Sequence, residues 1–412
     1  MQKPVSLVQV GIGGMGAVYV AALLENRERR SFRLAGVVDP QPQKGPQLFT
    51  IQALGIPVFE RLEGFYERQQ ADLAIIASPI HFHCDQTCLA LARGSQVLCE
   101  KPAAATVQEV NRMREAEREA GKQVSIGFQW SFSPAIQALK RDILDGKYGR
   151  PRRLKCLYLW PRGEAYYKRN DWAGKLRDAN GRWILDSPAH NAMAHDLHNM
   201  FYVLGAEREA AAQPVQAEAE LFRAMDIDNF DTAAIRCTTG TGVEILFYVS
   251  HVASADTGPV LSYEFERGEV SCSGREADIK GRIRAGEKNY GSPDREPLRK
   301  LWEAVDAVGK NAIPACGLAA AYSQVLAVNG AQESMPGIQT FPKALVEVKG
   351  EAGGRTVTVA GLTEAFWECY RKNALPSELG ITWSRKGRKV SLTDYAHFPK
   401  YRRNGRTRTH NE

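Results

Sequence analysis

Residues 5–10, VSLVQV, run straight into GIGGMG and then into AVYVAALLENRERR. A short apolar, β-branched run reads as a buried strand, and the segment after it has the apolar period of a helix. Gly11, Gly13 and Gly16 therefore stand at a strand-to-helix turn with the spacing GxGxxG. Each has its own physical job. The first permits the tight turn, the second lets the backbone approach a pyrophosphate, and the third lets helix pack on strand. Free N–H groups at the helix start then face the phosphates. The whole turn, Gly11, Ile12, Gly13, Gly14, Met15 and Gly16, is the expected dinucleotide contact. Alone the motif is weak, and its surroundings decide.

A second apolar run, FRLAGVVDP, ends in Asp39, 23 positions after Gly16. An acid at that distance meets the adenosine ribose hydroxyls. A 2′-phosphate would face its negative charge, and no arginine follows directly, so NAD is expected rather than NADP. The alternation continues. ADLAIIASP ends a third strand in Ser78-Pro79, and HFHCDQTCLALARG is a helix closed by Gly94. SQVLCEKP ends a fourth strand in Glu100-Lys101-Pro102, TVQEVNRMREAEREAGK is an amphipathic helix with a glycine stop, and QVSIGFQ is a fifth strand. This order predicts an α/β fold with a doubly wound parallel sheet. Ligands of such sheets bind beyond the carboxyl ends of the strands. Gly11–Gly16, Asp39, Ser78, Pro79, Glu100 and Lys101 all fall at those ends.

The 412 residues are too many for one ordinary core, so two domains are expected. No apolar run reaches the ~18 residues that span a bilayer. The first residues lack a secretory layout, which predicts a cytoplasmic protein without membrane contact. Of the eight cysteines only Cys84 and Cys88 are close, and not as CxxC, so buried thiols are expected. Part of the +7 net charge sits in the tail KYRRNGRTRTHNE, which is expected to fray in solvent. No nucleic-acid fold motif accompanies it, so no nucleic-acid partner is expected.

GIGGMG, the ASPIHFH segment, GSQVLCEKP, SIGFQ and HDLHNMFYVLG together resemble the Gfo/Idh/MocA oxidoreductases, the glucose–fructose oxidoreductase and inositol dehydrogenase family. The likeness runs in order through residues 1–127, implied to be a Rossmann NAD-binding domain, and in weaker echoes to about 375. It adds His83 and Gln129 to the cofactor set and implies a cis bond at Lys101-Pro102. For residues 128–375 it implies an α+β domain with an open, mostly antiparallel sheet that carries substrate and often pairs subunits, hence a homo-oligomer. CLYLWP, EAELFRAM, TAAIRCTT, VEILFYVSHV and LSYEFERGEVSCSG read as its strands. PLRKLWEAVDAVGK and GLAAAYSQVLAVNGAQES resemble late helices that pack back near the first domain. Residues 376–412 are expected to be a basic, partly flexible extension. Two family features are missing: an asparagine at position 80, which is Ile80, and an arginine at position 131, which is Ser131.

The resemblance implies hydride transfer between the nicotinamide and a secondary alcohol of a sugar, sugar acid or cyclitol. Lys101 would be the cation at the reacting oxygen. A D-x-x-x-H motif would supply the proton-transfer histidine, whose titration lies near working pH. WILDSPAHNAMAHDLH offers two registers, Asp186 with His190, or Asn191 with His195. Ser187 or Asp186 reads as an N-cap, with Pro188 in the first turn of a helix over about 188–204 that ends at Gly205. On one continuous helix Asn191, His195 and His198 would share a polar stripe, which favours His195 as acid/base with Asn191 as its partner. His190 then sits in the first turn. His198 is either a further substrate contact or a core-edge residue. No third ligand accompanies the histidine pair, so no metal is expected. Tyr167, Arg169, Asn170 and Trp172 in YYKRNDW are the candidate substrate contacts, with aromatics for C–H faces and polar groups for hydroxyls. Two other functions stay open: elimination driven by retained NAD with no net redox change, and a non-catalytic dinucleotide-sensing regulator.

Overall fold

The computed structural model describes residues 3–310, 312–335, 337–351 and 353–400. The first sheet has six strands, β1 (Val5–Val10), β2 (Phe32–Val38), β3 (Val58–Phe59), β4 (Leu73–Ile76), β5 (Gln96–Cys99) and β6 (Val124–Ile126). Their order is β3-β2-β1-β4-β5-β6, and every neighbouring pair is parallel. β4 is buried along its whole length, because helices cover both faces of such a sheet. The chain direction switches sides between β1 and β4, so the crevice beyond their carboxyl ends is the ligand-binding end. The helix Val107–Ala120 has a reciprocal capping box between Thr106 and Glu109, buries Val107, Val110 and Met113, and stops at left-handed Gly121.

The second sheet is built from β7 (Pro151–Leu159), β8 (Pro214–Arg223), β9 (Thr232–Thr239), β10 (Glu244–Ser250), β11 (Thr257–Phe265), β12 (Gly268–Ser273), β13 (Ile279–Ile283), β14 (Gly286–Gly291) and β15 (Gln339–Thr340). Its order is β14-β13-β12-β11-β7-β10-β9-β8-β15. Only β7 with β10 and β8 with β15 pair in parallel, and the other pairs are antiparallel. Both expected sheets are present.

The helix Leu318–Ser334 ties the domains together. It is almost wholly buried, with Gln324, Asn329, Gln332 and Glu333 enclosed among its apolar residues. Asn329 Oδ1 accepts from the Val107 N–H, and its Nδ2 donates to the Ala105 carbonyl, both at 3.0 Å. Gly330 passes so close to β8 that a Cβ there would stand 2.9 Å from both Ala217 and Leu392. A larger residue would push them apart, at a cost on the order of 1–3 kcal/mol. One hydrophobic core runs from Val8 in the first sheet to Ile245 in the second, so the cleft between the domains has rigid walls.

Residues 376–400 do not stand apart as an extension. Val390–Ser391 pairs antiparallel with β8, and Leu392, Tyr395 and Phe398 are buried. Residues 401–412, the basic tail expected to fray, lie outside the described residues. All eight cysteines are free thiols. Among the described residues no helix is long and apolar enough to cross a membrane.

Candidate active site

The glycine turn sits at the mouth of the β1/β4 crevice. Gly11 has φ 79°, and a Cβ there would meet the Ala77 carbonyl at 2.6 Å. A Cβ at Gly16 would strike the Gly11 carbonyl at 2.1 Å, so helix and strand can close only around glycine. Gly13 and Gly14, by contrast, have nothing within 4 Å of a Cβ, which leaves open space at the helix N-terminus for a phosphate. Asp39 closes the far side. Its Oδ2 accepts from the Ile12 N–H at 3.0 Å and its Oδ1 from the Gln41 N–H at 2.8 Å. A carboxylate retains lone pairs beyond these two for ribose hydroxyls. A dinucleotide therefore fits this end of the sheet.

Three of the expected cofactor contacts are committed elsewhere. His83 is buried, with Nδ1 2.8 Å from the Pro102 carbonyl and Nε2 2.8 Å from the Ser78 carbonyl. It ties the end of β4 to the end of β5 and has no ring atom left for a ligand. Glu100 is also buried. It accepts from the Tyr19 hydroxyl and from Lys300 Nζ, which also donates to the Gly127 carbonyl at 2.9 Å. Burial would raise the Glu100 carboxyl, but the Lys300 ammonium and the Tyr19 hydroxyl outweigh it and hold it below the usual carboxylate range. Gln129 gives its amide N–H to Asp294 at 3.2 Å. Ser78 Oγ donates to Gln86 at 2.6 Å, while Ser78 and Pro79 remain partly exposed at the crevice.

Lys101 follows at the end of β5, and its bond to Pro102 is cis. Because Lys300 neutralises Glu100, the Lys101 ammonium is not drawn back to its neighbour. It donates to the Asn191 carbonyl at 2.7 Å and to Asn191 Oδ1 at 2.9 Å. Burial pushes it down to about 8, against the pull of Glu100. Asn191 Nδ2 in turn donates to Asp186 Oδ1 at 2.8 Å. Asp186 Oδ2 accepts from the Gly174 N–H at 2.7 Å and lies 4.0 Å from Arg169 Nη2.

The single helix expected over 188–204 is two pieces. Residues Pro188–Ala192 form a wide π turn in which the Met193 N–H reaches back five residues to the Pro188 carbonyl at 2.8 Å. The α-helix Ala194–Tyr202 starts only after Met193, whose φ is −115°. The extra residue in the turn rotates Asn191 out of line with the helix and toward Lys101. Such turns recur where a side chain must be re-aimed. Leu185, just before Asp186, is held in the left-handed region at φ 54°. That is further local strain beside the same cluster.

The three histidines have different surroundings. His190 is fully buried, with its N–H on Ser187 Oγ and its ring 3.4 Å from Gln324 Nε2, and burial pushes it down to about 3. Asp186 and His190 therefore do not pair. His198 is fully buried as well. It stacks on Phe128 with centroids 3.9 Å apart, and its Nε2 lies 2.9 Å from Ser131 Oγ. It packs in the core, and Ser131, where the family arginine is missing, completes this contact. His195 is the partly exposed one. It meets Phe128 edge-on at 5.7 Å, and its Nδ1 has no hydrogen-bond partner among the described residues. Burial, then Lys101 and Lys300, hold its titration well below the usual histidine range, so it is neutral at working pH.

Of the expected substrate contacts, Tyr167 is buried with its hydroxyl 2.7 Å from His251 Nδ1, and Asn170 Oδ1 accepts from the Trp172 and Ala173 N–H groups to shape the loop. Both are supports rather than open contacts. Arg169 and Trp172 are partly accessible, with the guanidinium 5.2 Å above the indole. Sequence reasoning missed Tyr19 and Lys300, which carry no local motif, and Phe128, which lies within SIGFQ but has no chemistry of its own to mark it.

Residues 5–128 match the oxidoreductase family described by an NAD-binding Rossmann fold. The rhizopine catabolism protein MocA of Rhizobium meliloti is 29% identical over 181 residues, covering 44% of this chain and 53% of that protein. The match thus spans about half of that relative. Inositol 2-dehydrogenase of Burkholderia cenocepacia is 26% identical over 251 residues, 59% of this chain and 68% of that enzyme. The WlbA dehydrogenase of Bordetella pertussis, solved with NADH and UDP-GlcNAcA, superposes with a TM-score of 0.66 at 19% identity, covering 81% of this chain and 98% of that one. Its likeness is one of fold. With its glycine turn, its strand-end lysine and these relatives in agreement, residues 5–128 form an NAD-binding Rossmann domain of the Gfo/Idh/MocA oxidoreductase type.

Proposed function

We propose that the protein is an NAD-dependent dehydrogenase acting on a secondary alcohol of a sugar-like or cyclitol substrate. The bound nicotinamide supplies the hydride acceptor. Lys101, held at the end of β5 by both oxygens of Asn191, faces the substrate oxygen with its ammonium and stabilises negative charge developing there. His195, neutral and partly exposed, takes the hydroxyl proton. Asp186 and Asn191 hold the lysine rather than the histidine. Asp39 selects NAD through its ribose contact. The same reading makes the protein a homo-oligomer paired through the open second sheet, which light scattering on a sizing column would test.

The observation that carries this reading is the Lys101–Asn191–Asp186 chain of hydrogen bonds beside the partly exposed His195. The test is a screen of polyols, sugars and sugar acids with NAD, followed at the reduced-nicotinamide absorbance band. Turnover that disappears in Lys101→Met is the expected result. Tight NAD binding with no absorbance change on any substrate would overturn it in favour of a dinucleotide-sensing regulator.

A further inference from the structure

Strand β7 runs out of the second sheet through Tyr158 and Trp160, whose rings stack 5.6 Å apart. Three arginines lie on this aromatic strip. The Arg162 guanidinium sits 3.5 Å over Trp160 and 4.9 Å over Tyr166. Arg169 sits 3.8 Å over Tyr166. Arg275 sits 4.4 Å over Trp160 and donates to the Tyr158 hydroxyl at 2.8 Å. Tyr166 is thus shared by Arg162 and Arg169, and Arg169 reaches Asp186 at 4.0 Å, one hydrogen bond from the Asn191 that holds Lys101. The strip is therefore continuous with the proposed active site.

The three cations differ in what balances them. Arg275 has an ion pair with Asp256 at the surface. Arg169 has the distant Asp186 and the Tyr166 carbonyl. Arg162 makes no ion pair among the described residues, and its Nε is buried without a hydrogen-bond partner. A guanidinium stacked on a ring keeps its N–H edge free for a bidentate acceptor. Leaving a buried donor unused is costly unless something arrives to accept from it. Burial and the two neighbouring arginines also disfavour charge on Arg162, a tension that a bound anion would relieve.

We propose that Arg162, flanked by Arg169 and Arg275, is the subsite for an oxyanion carried by the substrate, a carboxylate or a phosphate on the sugar or cyclitol. The substrate is then an acidic sugar derivative rather than a neutral polyol. This rests on the dehydrogenase reading above, and it extends that reading to residues outside any recognised motif through their contacts with Tyr166 and Trp160.

The test compares hexuronates and aldonates, hexose phosphates, and neutral hexoses and inositols, in wild type, Arg162→Met and Arg162→Lys. The NAD-induced thermal shift reports that each variant is folded. In wild type, kcat/KM for one acidic class should exceed that for its neutral analogue, and the class preferred tells carboxylate from phosphate. Arg162→Met should lower the acid-to-neutral ratio about 10- to 100-fold, chiefly through KM, with Arg162→Lys in between. Neutral substrates used as well as acidic ones, with that ratio unmoved in Arg162→Met, would overturn the subsite and leave the dehydrogenase intact. If no class is turned over, the dehydrogenase reading fails, and the subsite is judged by binding alone. Quenching of tryptophan fluorescence by glucuronate or glucose phosphate that is lost in Arg162→Met supports it, and no such binding overturns it.

Discussion

Lys101 Nζ donates to two oxygens of one residue, the backbone carbonyl and the side-chain Oδ1 of Asn191. Neither oxygen carries a full charge. A carboxylate at 191 would hold the ammonium high, whereas against an amide burial prevails and the lysine falls to about 8. If the charged form is what stabilises the reacting oxygen, initial-rate kcat/KM for alcohol oxidation should fall as pH rises through about 8. A pH–rate profile flat from 7 to 9.5 would remove Lys101 from that role. Stability moves the other way. The folded chain holds this proton less tightly than the unfolded chain, whose lysine keeps the ordinary 10.5, so the lysine's contribution to stability rises with pH between about 8 and 10.5. Lys101→Met should therefore be inactive yet more heat-stable at pH 7, by on the order of 1–3 kcal/mol, with the gain shrinking above pH 10.

His195 and His190 should separate cleanly on substitution. His195 alone of the two is partly exposed, so His195→Ala should lower kcat by about 10²–10⁴-fold. NAD affinity should hardly change, since the dinucleotide is bound by the other domain. His190 is buried against Gln324, so His190→Ala should lower the melting temperature while the folded fraction keeps its turnover. Full activity in His195→Ala with none in stable His190→Ala would reverse the assignment.

The first domain was readable because its signals are local. Strand, glycine turn and helix adjoin at Val5–Asn26, and the Thr106–Glu109 cap and Gly121 bracket one helix. The register at 186–198 was half readable. The choice of His195 over His190 came from helix spacing, but the spacing assumed one α-helix, and the π turn at Pro188–Ala192 depends on tertiary contacts that no periodicity carries. His83, Glu100 and His198 have the right types at motif positions, yet each is consumed by a partner elsewhere: Pro102 and Ser78 for the first, Lys300 for the second, Ser131 for the third. Such pairings join positions far apart in sequence, so single-residue patterns cannot show them.

The proposed reading gives Asp39 the cofactor preference. Its two oxygens already accept from Ile12 and Gln41, which holds the carboxylate in place beside the glycine turn. Asp39→Ser keeps a small acceptor and removes the charge. The ratio of NADP to NAD dissociation constants should then fall by about 10-fold or more, as repulsion of the 2′-phosphate disappears. The measurement is a fluorescence titration of both dinucleotides. A wild-type protein that binds NADP more tightly than NAD would refute the assignment directly.

Lys300 and Glu100 are 200 residues apart in sequence and fully enclosed together, with the Tyr19 hydroxyl as third member. Removing one partner of a buried pair leaves an uncompensated charge, typically costing about 3–5 kcal/mol. Lys300→Met should therefore lower thermal stability sharply at pH 7. The sign with pH follows from Glu100, whose folded-state titration lies below the ordinary carboxylate value. Its contribution is present above that ordinary value and is lost as pH falls through the depressed one. The gap between wild type and Lys300→Met should thus close in acid. Adding Glu100→Gln to Lys300→Met should recover much of the loss, because the orphaned charge is gone, whereas independent contributions would make the double variant worse than either single one. An additive double variant would show that Lys300 and Glu100 are not coupled through charge.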